Sequence, residues 1–175
     1  YMLHIETIAR VLPEVRFVHI IRDGRDVALS VKDLWFGPDS VSEVAGWWMT
    51  RIKEAQRQGA RVPHYLEVRY EDLVCHPEAM LKRICAFVDL PWSPLMLGYH
   101  MTAQQRLSEM DSPVQVRGSE RLVTPAERQG LHSLTSEPPQ TDRIERWRTE
   151  MSERDREHFI AIAGDLLKDL GYEVE

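Results

Sequence analysis

The chain has 175 residues, of which 43% are hydrophobic and 29% charged, a balance typical of a globular domain rather than a disordered chain. Its formal net charge of -6 argues against nucleic-acid partners, because proteins that grip DNA or RNA cluster cationic side chains against the phosphates. No stretch approaches the roughly 20 apolar residues of a membrane span, so we expect no membrane segment. The length predicts one domain over residues 1–175.

Segments with helical spacing of apolar residues alternate with short runs rich in β-branched and aromatic residues. In chain order the pattern predicts a helix over 2–12, a strand over 16–21, a helix over 27–35 capped by Asp26, a helix from Ser40 to about Gly59, a strand over 65–70, a helix from His76 to about Asp89, a shorter helix from Ser93, and a last helix from Ser152 that ends before Gly171. Residues 101–142, rich in proline and polar residues, are predicted to be an irregular segment that closes over a ligand.

Strands that alternate with helices predict an α/β fold with a parallel sheet covered on both faces. Such sheets bind ligands at the carboxyl ends of their strands, and Arg22 and Tyr70 each lie at the end of a predicted strand. The tryptophan pair Trp47-Trp48 is predicted to pack in the core. The isolated histidines are predicted to be structural: His4, His19 and His132.

The segment over residues 17–30, F-V-H-I-I-R-D-G-R-D-V-A-L-S, carries the clearest chemical signal. It predicts a strand that delivers Arg22 to the sheet edge, a tight glycine turn, and a helix whose exposed N–H groups favour an anion. Ser30 lies about one helical turn in, so a guanidinium and a hydroxyl converge on a phosphate-sized group. In the alternative interpretation Arg22 pairs with Asp26, and Ser30 bonds back to the carbonyl of Asp26.

The same segment resembles the 3′-phosphate-binding strand–loop–helix of sulfotransferases that use 3′-phosphoadenosine 5′-phosphosulfate, in which an arginine and a serine eight residues later hold the donor. The sequence Y-E-D-L that begins at Tyr70 is similar to the family element whose tyrosine lies against the donor nucleotide. Residues 144–148, I-E-R-W-R, resemble the family's basic-tryptophan element, in which the residue before the tryptophan, here Arg146, approaches the 3′-phosphate. The three motifs occur in the family's order, and the likeness is greatest to bacterial sulfotransferases related to tyrosylprotein sulfotransferases.

This resemblance implies a P-loop-NTPase-like parallel sheet flanked by helices, incomplete at the N-terminus, in a single sulfotransferase-like domain over residues 1–175. It implies 3′-phosphoadenosine 5′-phosphosulfate as donor co-substrate, held by Arg22, Ser30, Tyr70 and Arg146, with no metal. Ser133 and Thr135 lie where the family drapes backbone over the adenosine. The implied reaction is in-line transfer of a sulfuryl group to a hydroxyl or amine of a small-molecule, glycan, lipid or protein acceptor.

The family's other half-site, a Ser-Gly-Thr-Thr loop that binds the 5′-phosphosulfate, has no counterpart in this sequence. We therefore expect this to be the C-terminal portion of a longer protein, inactive alone, with its general base upstream of residue 1. A homodimer is compatible with the sequence. Two cysteines, expected to be reduced, and no targeting segment favour a cytoplasmic location.

Two other functions remain open at this point. The first is a sulfotransferase-like module that binds a nucleotide or a partner without turnover. The second is a P-loop nucleotide kinase, which would need a glycine–lysine loop upstream and magnesium. A protein kinase is excluded, because the asparagine that its catalytic loop requires is absent from residues 27–30.

Overall fold

The computed structural model describes residues 1–31, 34, 37–115 and 120–174. Helices and short strands alternate along much of the chain, as predicted. The helices are α1 (Ile5–Val11), α2 (Gly24–Val31), α3 (Val41–Gly59), α4 (Tyr70–Cys75), α5 (Pro77–Val88), α6 (His100–Ser108), α7 (Pro125–Leu131), α8 (Trp147–Glu150) and α9 (Glu153–Asp169), and the strands are β1 (Phe17–Ile21), β2 (Tyr65–Arg69), β3 (Val114–Gln115) and β4 (Leu122–Val123). Short 3₁₀ helices cover Pro94–Gly98, Ser133–Ser136 and Thr141–Arg143.

The chain divides into two compact units, residues 1–90 with 141–175 and residues 91–140. In the first unit β1 and β2 pair in parallel, from Phe17 opposite Tyr65 to Ile21 opposite Arg69. The predicted mixed α/β architecture with a parallel sheet is confirmed in this coarse form. The prediction of a single domain stays a prediction.

The core of the first unit lies where α2, α3 and α9 pack against β1. Ile21 from β1, Trp48 from α3 and Phe159 and Leu167 from α9 are buried within it. Truncating a buried aromatic such as Phe159 to alanine costs about 3–5 kcal/mol of the free energy of unfolding, so this residue is a major contributor to the core. Trp47 departs from the prediction: it is 37% exposed, and the guanidinium of Arg51 covers its ring at 4.3 Å.

Capping contacts confirm the predicted starts of α3 and α9, and Gly171 confirms the predicted end of α9. Ser40 accepts a hydrogen bond from the amide of Glu43 at 3.2 Å, and Ser152 accepts one from the amide of Asp155 at 3.1 Å. Gly171, just past α9, has a φ of +76°, a left-handed conformation that favours glycine.

The prediction that Asp26 caps the second helix is wrong, because α2 already begins at Gly24. Asp23 takes the capping role: its Oδ1 accepts from the amide of Arg25 at 2.9 Å, and its carbonyl accepts from the amide of Val27 at 3.0 Å. Asp26 instead lies buried in the first turn. The predicted end of this helix at Trp35 lies outside the described residues.

The second unit, residues 91–140, contains more regular structure than the predicted irregular segment allows. It holds α6 and α7, and β3 pairs antiparallel with β4. Thr124 and Glu127 form a capping box at the start of α7, with Pro125 in its first turn. Proline therefore begins this helix instead of interrupting the chain. Residues 116–119, within the same predicted segment, lie outside the described residues.

Three further features bear on the class of protein. In the described ranges, the helices are all too short or too polar to cross a bilayer. No group of three or more His, Cys, Asp or Glu side chains among those residues could hold a metal ion, and the expectation of metal-free chemistry stays a prediction. Cys75 is exposed and Cys85 buried, and neither forms a disulfide within the described part of the chain.

Candidate functional site

Arg22 directly follows β1 and stands at the carboxyl end of the parallel sheet. Its backbone is fixed by the indole of Trp48, which donates to the Arg22 carbonyl at 3.2 Å. The side chain is 19% exposed. Its Nη1 donates to Ser30 Oγ at 3.4 Å, and its Nη2 donates to the carbonyl of Arg143 at 2.6 Å. The Arg22 guanidinium and the Ser30 hydroxyl therefore converge as predicted, and their role toward a phosphate stays a prediction.

The contacts of the alternative interpretation are present as well. Ser30 Oγ donates to the carbonyl of Asp26 at 2.8 Å, and Arg22 Nη2 lies 3.8 Å from Asp26 Oδ2. The two interpretations are compatible, because a hydroxyl can accept from Arg22 while it donates to a carbonyl. Both contacts hold Ser30 and Arg22 on the same side of α2.

Tyr70 joins this cluster from just beyond the neighbouring strand, β2. It is the first residue of α4, directly after β2, and not the last residue of a strand as predicted. The parallel register of β1 and β2 brings it beside Arg22, whose guanidinium carbon lies 4.7 Å from the centroid of the Tyr70 ring. Within the described residues Arg22 Nε is buried and has no hydrogen-bond partner. Arg22 thus retains a donor beside an aromatic face.

The first turn of α2 offers less to an anion than predicted. Gly24, Arg25 and Asp26 are buried, and the Asp23 carboxylate already occupies the amide of Arg25. The expectation of exposed N–H groups at this helix end is wrong, because α2 packs its start against Trp48 and Phe159.

A loop from the end of the first unit packs onto the same turn. Asp26 Oδ2 accepts from the amide of Glu145 at 2.9 Å, and Oδ1 accepts from the amide of Trp147 at 3.0 Å. Burial raises the pKa of Asp26, while these amides and Arg22 act in the opposite direction. The indole of Trp147 is covered by the Arg25 guanidinium at 3.5 Å.

Arg146 lies between the two amides that Asp26 holds. Its side chain pairs with Glu150, Nε to Oε1 at 2.8 Å and Nη2 to Oε2 at 2.5 Å. These hydrogen bonds raise the pKa of Arg146 and lower the pKa of Glu150. The structure thus brings Arg146 to the loop beside α2, with its guanidinium on Glu150 and not on Arg22, Ser30 or Tyr70.

Ser133 and Thr135 lie in the second unit, where Ser133 begins the 3₁₀ helix Ser133–Ser136. Both residues are exposed. Thr135 Oγ1 donates to the carbonyl of His132 at 2.7 Å. Their contact with an adenosine stays a prediction.

Glu71, to which the sequence analysis gives no separate role, links the elements around the site. Its Oε1 accepts from the amide of Asp23 at 3.0 Å, and its Oε2 accepts from the hydroxyl of Tyr172 at 3.0 Å. Burial, with Glu71 beside it, raises the pKa of Tyr172. The acidic residue after Tyr70 in the Y-E-D-L motif was the sequence signal for this role.

Asp23 and Arg25 form a buried pair next to Glu71, with Nε to Oδ1 at 3.0 Å and Nη2 to Oδ2 at 2.7 Å. Arg25 also donates to the carbonyl of Glu173 at 2.7 Å. Because breaking a buried pair leaves an uncompensated charge, the second arginine of the R-D-G-R turn is a structural residue.

Comparison with known proteins decides the family. A family model described as "Sulfotransferase family" matches residues 1–94, just over half of the chain. The chain belongs to the sulfotransferase family. Arg22, Ser30 and Tyr70 lie inside the matched range, whereas Arg146 and Ser133 lie beyond it.

Among curated proteins the chain is similar to tyrosine sulfotransferases of animals. It is 28% identical to "Protein-tyrosine sulfotransferase A" of Caenorhabditis elegans over 65% of this chain and 31% of that protein. It is 22% identical to "Protein-tyrosine sulfotransferase 1" of Danio rerio over 95% of this chain and 44% of that protein. The predicted relation to tyrosine sulfotransferases is confirmed, and the likeness to bacterial members stays a prediction. The chain thus spans less than half the length of these two relatives.

Proposed function

We propose that this protein transfers a sulfuryl group from 3′-phosphoadenosine 5′-phosphosulfate to a hydroxyl acceptor, and that this chain supplies the half-site for the donor's 3′-phosphate and adenosine. The observation that carries the proposal is the cluster of Arg22, Ser30 and Tyr70 at the carboxyl end of the sheet. In a sulfotransferase-family chain, we assign this cluster to binding the donor's 3′-phosphate, which lies at the end of the donor farthest from the transferred sulfuryl group. The finer fold assignment, a P-loop-NTPase-like sheet, belongs to the same proposal.

The residues present fit the donor's 3′-phosphate in three respects. Arg22 has a buried Nε that no described residue engages, and charge-assisted hydrogen bonds from guanidinium to phosphate are among the strongest in proteins. Ser30 supplies a hydroxyl 3.4 Å from Arg22 Nη1. Arg146, on the loop held by Asp26, is proposed as a second cation for this doubly negative group; its guanidinium pairs with Glu150 here and would turn to the phosphate on binding.

The adenosine side of the proposed site is supported by the aromatic ring of Tyr70. Its position against the Arg22 guanidinium places a flat apolar surface beside the proposed phosphate position, as stacking on a purine requires.

When bound, the donor supplies a sulfuryl group whose bond to the 5′-phosphate oxygen breaks as a bond to the acceptor oxygen forms, with the acceptor's proton passing to a general base. Arg22 and Ser30 orient the nucleotide end of the donor. Binding energy from such a remote group aligns the reacting atoms and so lowers the barrier. The general base is not among the residues assigned to this chain.

The names of the relatives favour one acceptor class among those open at the sequence level. Both are protein-tyrosine sulfotransferases by name. We therefore propose the phenolic hydroxyl of a protein tyrosine as acceptor.

The test of the half-site is binding of adenosine 3′,5′-bisphosphate, measured by calorimetry. We expect Arg22→Ala to weaken binding about 10- to 100-fold, since a hydrogen bond to a charged group contributes roughly 1.5–3 kcal/mol. Ser30→Ala removes a neutral donor and is expected to weaken binding about 5-fold. Arg10→Ala removes an equal charge from the exposed face of α1 and serves as the control. Unchanged affinity of Arg22→Ala would falsify the assignment.

Turnover by the intact protein tests the reaction itself. With labelled donor and a tyrosine-containing peptide, we expect label to appear on the phenolic oxygen, and Arg22→Ala to reduce the rate. Nucleotide binding without any label transfer to peptide, glycan, lipid or small-molecule acceptors would support the non-catalytic module in its place.

A further inference from the structure

We infer that Asp26 is a positioning residue, whose buried carboxylate holds residues 145–147 against α2 and thereby places Arg146 at the first turn of that helix. This inference rests on the proposed function, because the role it assigns is to align two cations for the 3′-phosphate. Sequence patterns assign Asp26 only a helix-capping role, which the structure contradicts, and an alternative pairing with Arg22; neither connects it to residues 145–147.

Both carboxylate oxygens of Asp26 accept hydrogen bonds from residues far along the chain. Its side chain is 0% exposed, and its oxygens accept from the amides of Glu145 and Trp147, which lie 119 and 121 residues further along the chain. A buried carboxylate must be satisfied by donors, and these amides stand immediately before and after Arg146. The backbone on both sides of Arg146 is therefore fixed to the first turn of α2.

The loop that Asp26 holds has a conformation that a short peptide would avoid. Glu145 has a φ of +58°, a left-handed conformation that disfavours residues with a side chain. Such a conformation persists when the surroundings impose it, and the hydrogen bond from the Glu145 amide to Asp26 is one such constraint. Removing the acceptor releases the segment that carries Arg146.

The same carboxylate also faces Arg22. Asp26 Oδ2 lies 3.8 Å from Arg22 Nη2, and that nitrogen donates to the carbonyl of Arg143, two residues before the held segment. Arg22 Nη2 thus lies close both to Asp26 and to the residues that precede the held segment.

Because Asp26 is charged, positioning and simple electrostatics predict opposite changes in phosphate affinity when Asp26 is replaced. A carboxylate close to Arg22 repels a phosphate, so its replacement by a neutral amide strengthens anion binding if charge alone matters. Positioning predicts the opposite. Asp26→Asn keeps the shape and one acceptor but directs an N–H₂ group at the second amide, so the loop is released and phosphate binding weakens.

The experiment measures the affinity of Asp26→Asn for adenosine 3′,5′-bisphosphate and for adenosine 5′-phosphate, which lacks the 3′-phosphate. We expect the bisphosphate to bind on the order of tenfold more weakly, with a smaller change for the monophosphate. Asp155→Asn is the matched control, because Asp155 is the third residue of α9 as Asp26 is of α2. We expect this control to bind like the wild type.

A double-mutant cycle with Arg146→Ala tests the proposed route. If Asp26 acts by placing Arg146, Asp26→Asn adds little to the loss already caused by Arg146→Ala. Additive losses, or unchanged or tighter bisphosphate binding by Asp26→Asn, overturn the inference. Failure of the wild type to bind the bisphosphate overturns the proposed function and, with it, the role of Asp26 toward the phosphate.

Amide hydrogen exchange without nucleotide tests the loop attachment independently. We expect the amides of Glu145 and Trp147 to be protected in the wild type and to exchange faster in Asp26→Asn. If that variant does not fold, the wild-type measurement stands alone: exchange at the rate of an unstructured peptide at both amides overturns the inference.

Discussion

Gly24 in the R-D-G-R turn permits a close approach that no other residue allows. A Cβ at this position would lie 2.5 Å from Phe159 Cζ, and 2.6 and 2.9 Å from Trp48 Cδ2 and Cε2. Carbon atoms pack best at roughly 3.5–4.0 Å, so Gly24→Ala requires the rings or α2 to move by about 1 Å. Both rings are buried, Phe159 at 0% and Trp48 at 4% exposure, and this leaves little room for the movement.

Overpacking a core lowers the free energy of unfolding by about 1–3 kcal/mol, and we expect Gly24→Ala to have an effect of this size. For a chain of this size, 2 kcal/mol lowers Tm by roughly 4–8 °C. Gly46→Ala is the matched control, since Gly46 lies inside α3 with nothing within 4 Å of the added carbon. There alanine is expected to stabilise the protein by about 0.5–1 kcal/mol, because glycine is the poorer helix former.

Urea denaturation followed by tryptophan fluorescence measures both variants in the same assay. The expected result is opposite signs: Gly24→Ala unfolds at lower urea and Gly46→Ala at higher urea than the wild type. A Gly24→Ala variant as stable as the wild type, in an experiment where Gly46→Ala behaves as expected, would show that the start of α2 is not tightly packed.

Two further predictions concern pH and helix capping. The contact with His19, together with hydrogen bonds from Gln56 and Tyr65, lowers the pKa of Glu67 below its ordinary value of 4.5. As pH falls, Glu67 therefore takes up a proton in the unfolded chain before it does so in the folded protein. The stability that it contributes is lost as pH falls through the folded pKa. Urea unfolding from about pH 6 downward should show a shallower loss for Glu67→Gln than for the wild type, and parallel curves would contradict this. Ser152→Ala should lower the free energy of unfolding by about 1 kcal/mol, whereas Ser152→Asp should retain most of it, because aspartate also caps helices well; equal losses in the two would refute the capping role.

Local patterns predicted the elements whose ends are set by their own residues. The β-branched run before Arg22 gave β1, and Ser40 and Ser152 marked the starts of α3 and α9, because capping needs only groups within one turn. The pairing of Arg22 with Ser30 followed from their spacing along one strand, one turn and one helix.

Tertiary contacts decided what the sequence left unresolved. Asp23 and Asp26 are equally good caps by composition, but Asp26 is occupied by amides 119 and 121 residues further along the chain, which no local pattern contains. The helix α7 was missed for a different reason. The sequence contains its capping box, Thr124 and Glu127, but the many prolines nearby favoured the prediction of an irregular segment.

The span between Asp26 and its partners has a consequence for how the protein is made. On the ribosome, β1 and α2 emerge well before Glu145 and Trp147, so a nascent chain carries Arg22 and Ser30 while the carboxylate of Asp26 still faces water. Closing a loop of 119 residues costs about 4 kcal/mol of chain entropy, and the chain can recover it only once both amides have been synthesised. The proposed phosphate site is therefore completed late in biosynthesis, and a chain cut before residue 145 would keep Arg22 and Ser30 but lack the loop that Asp26 holds.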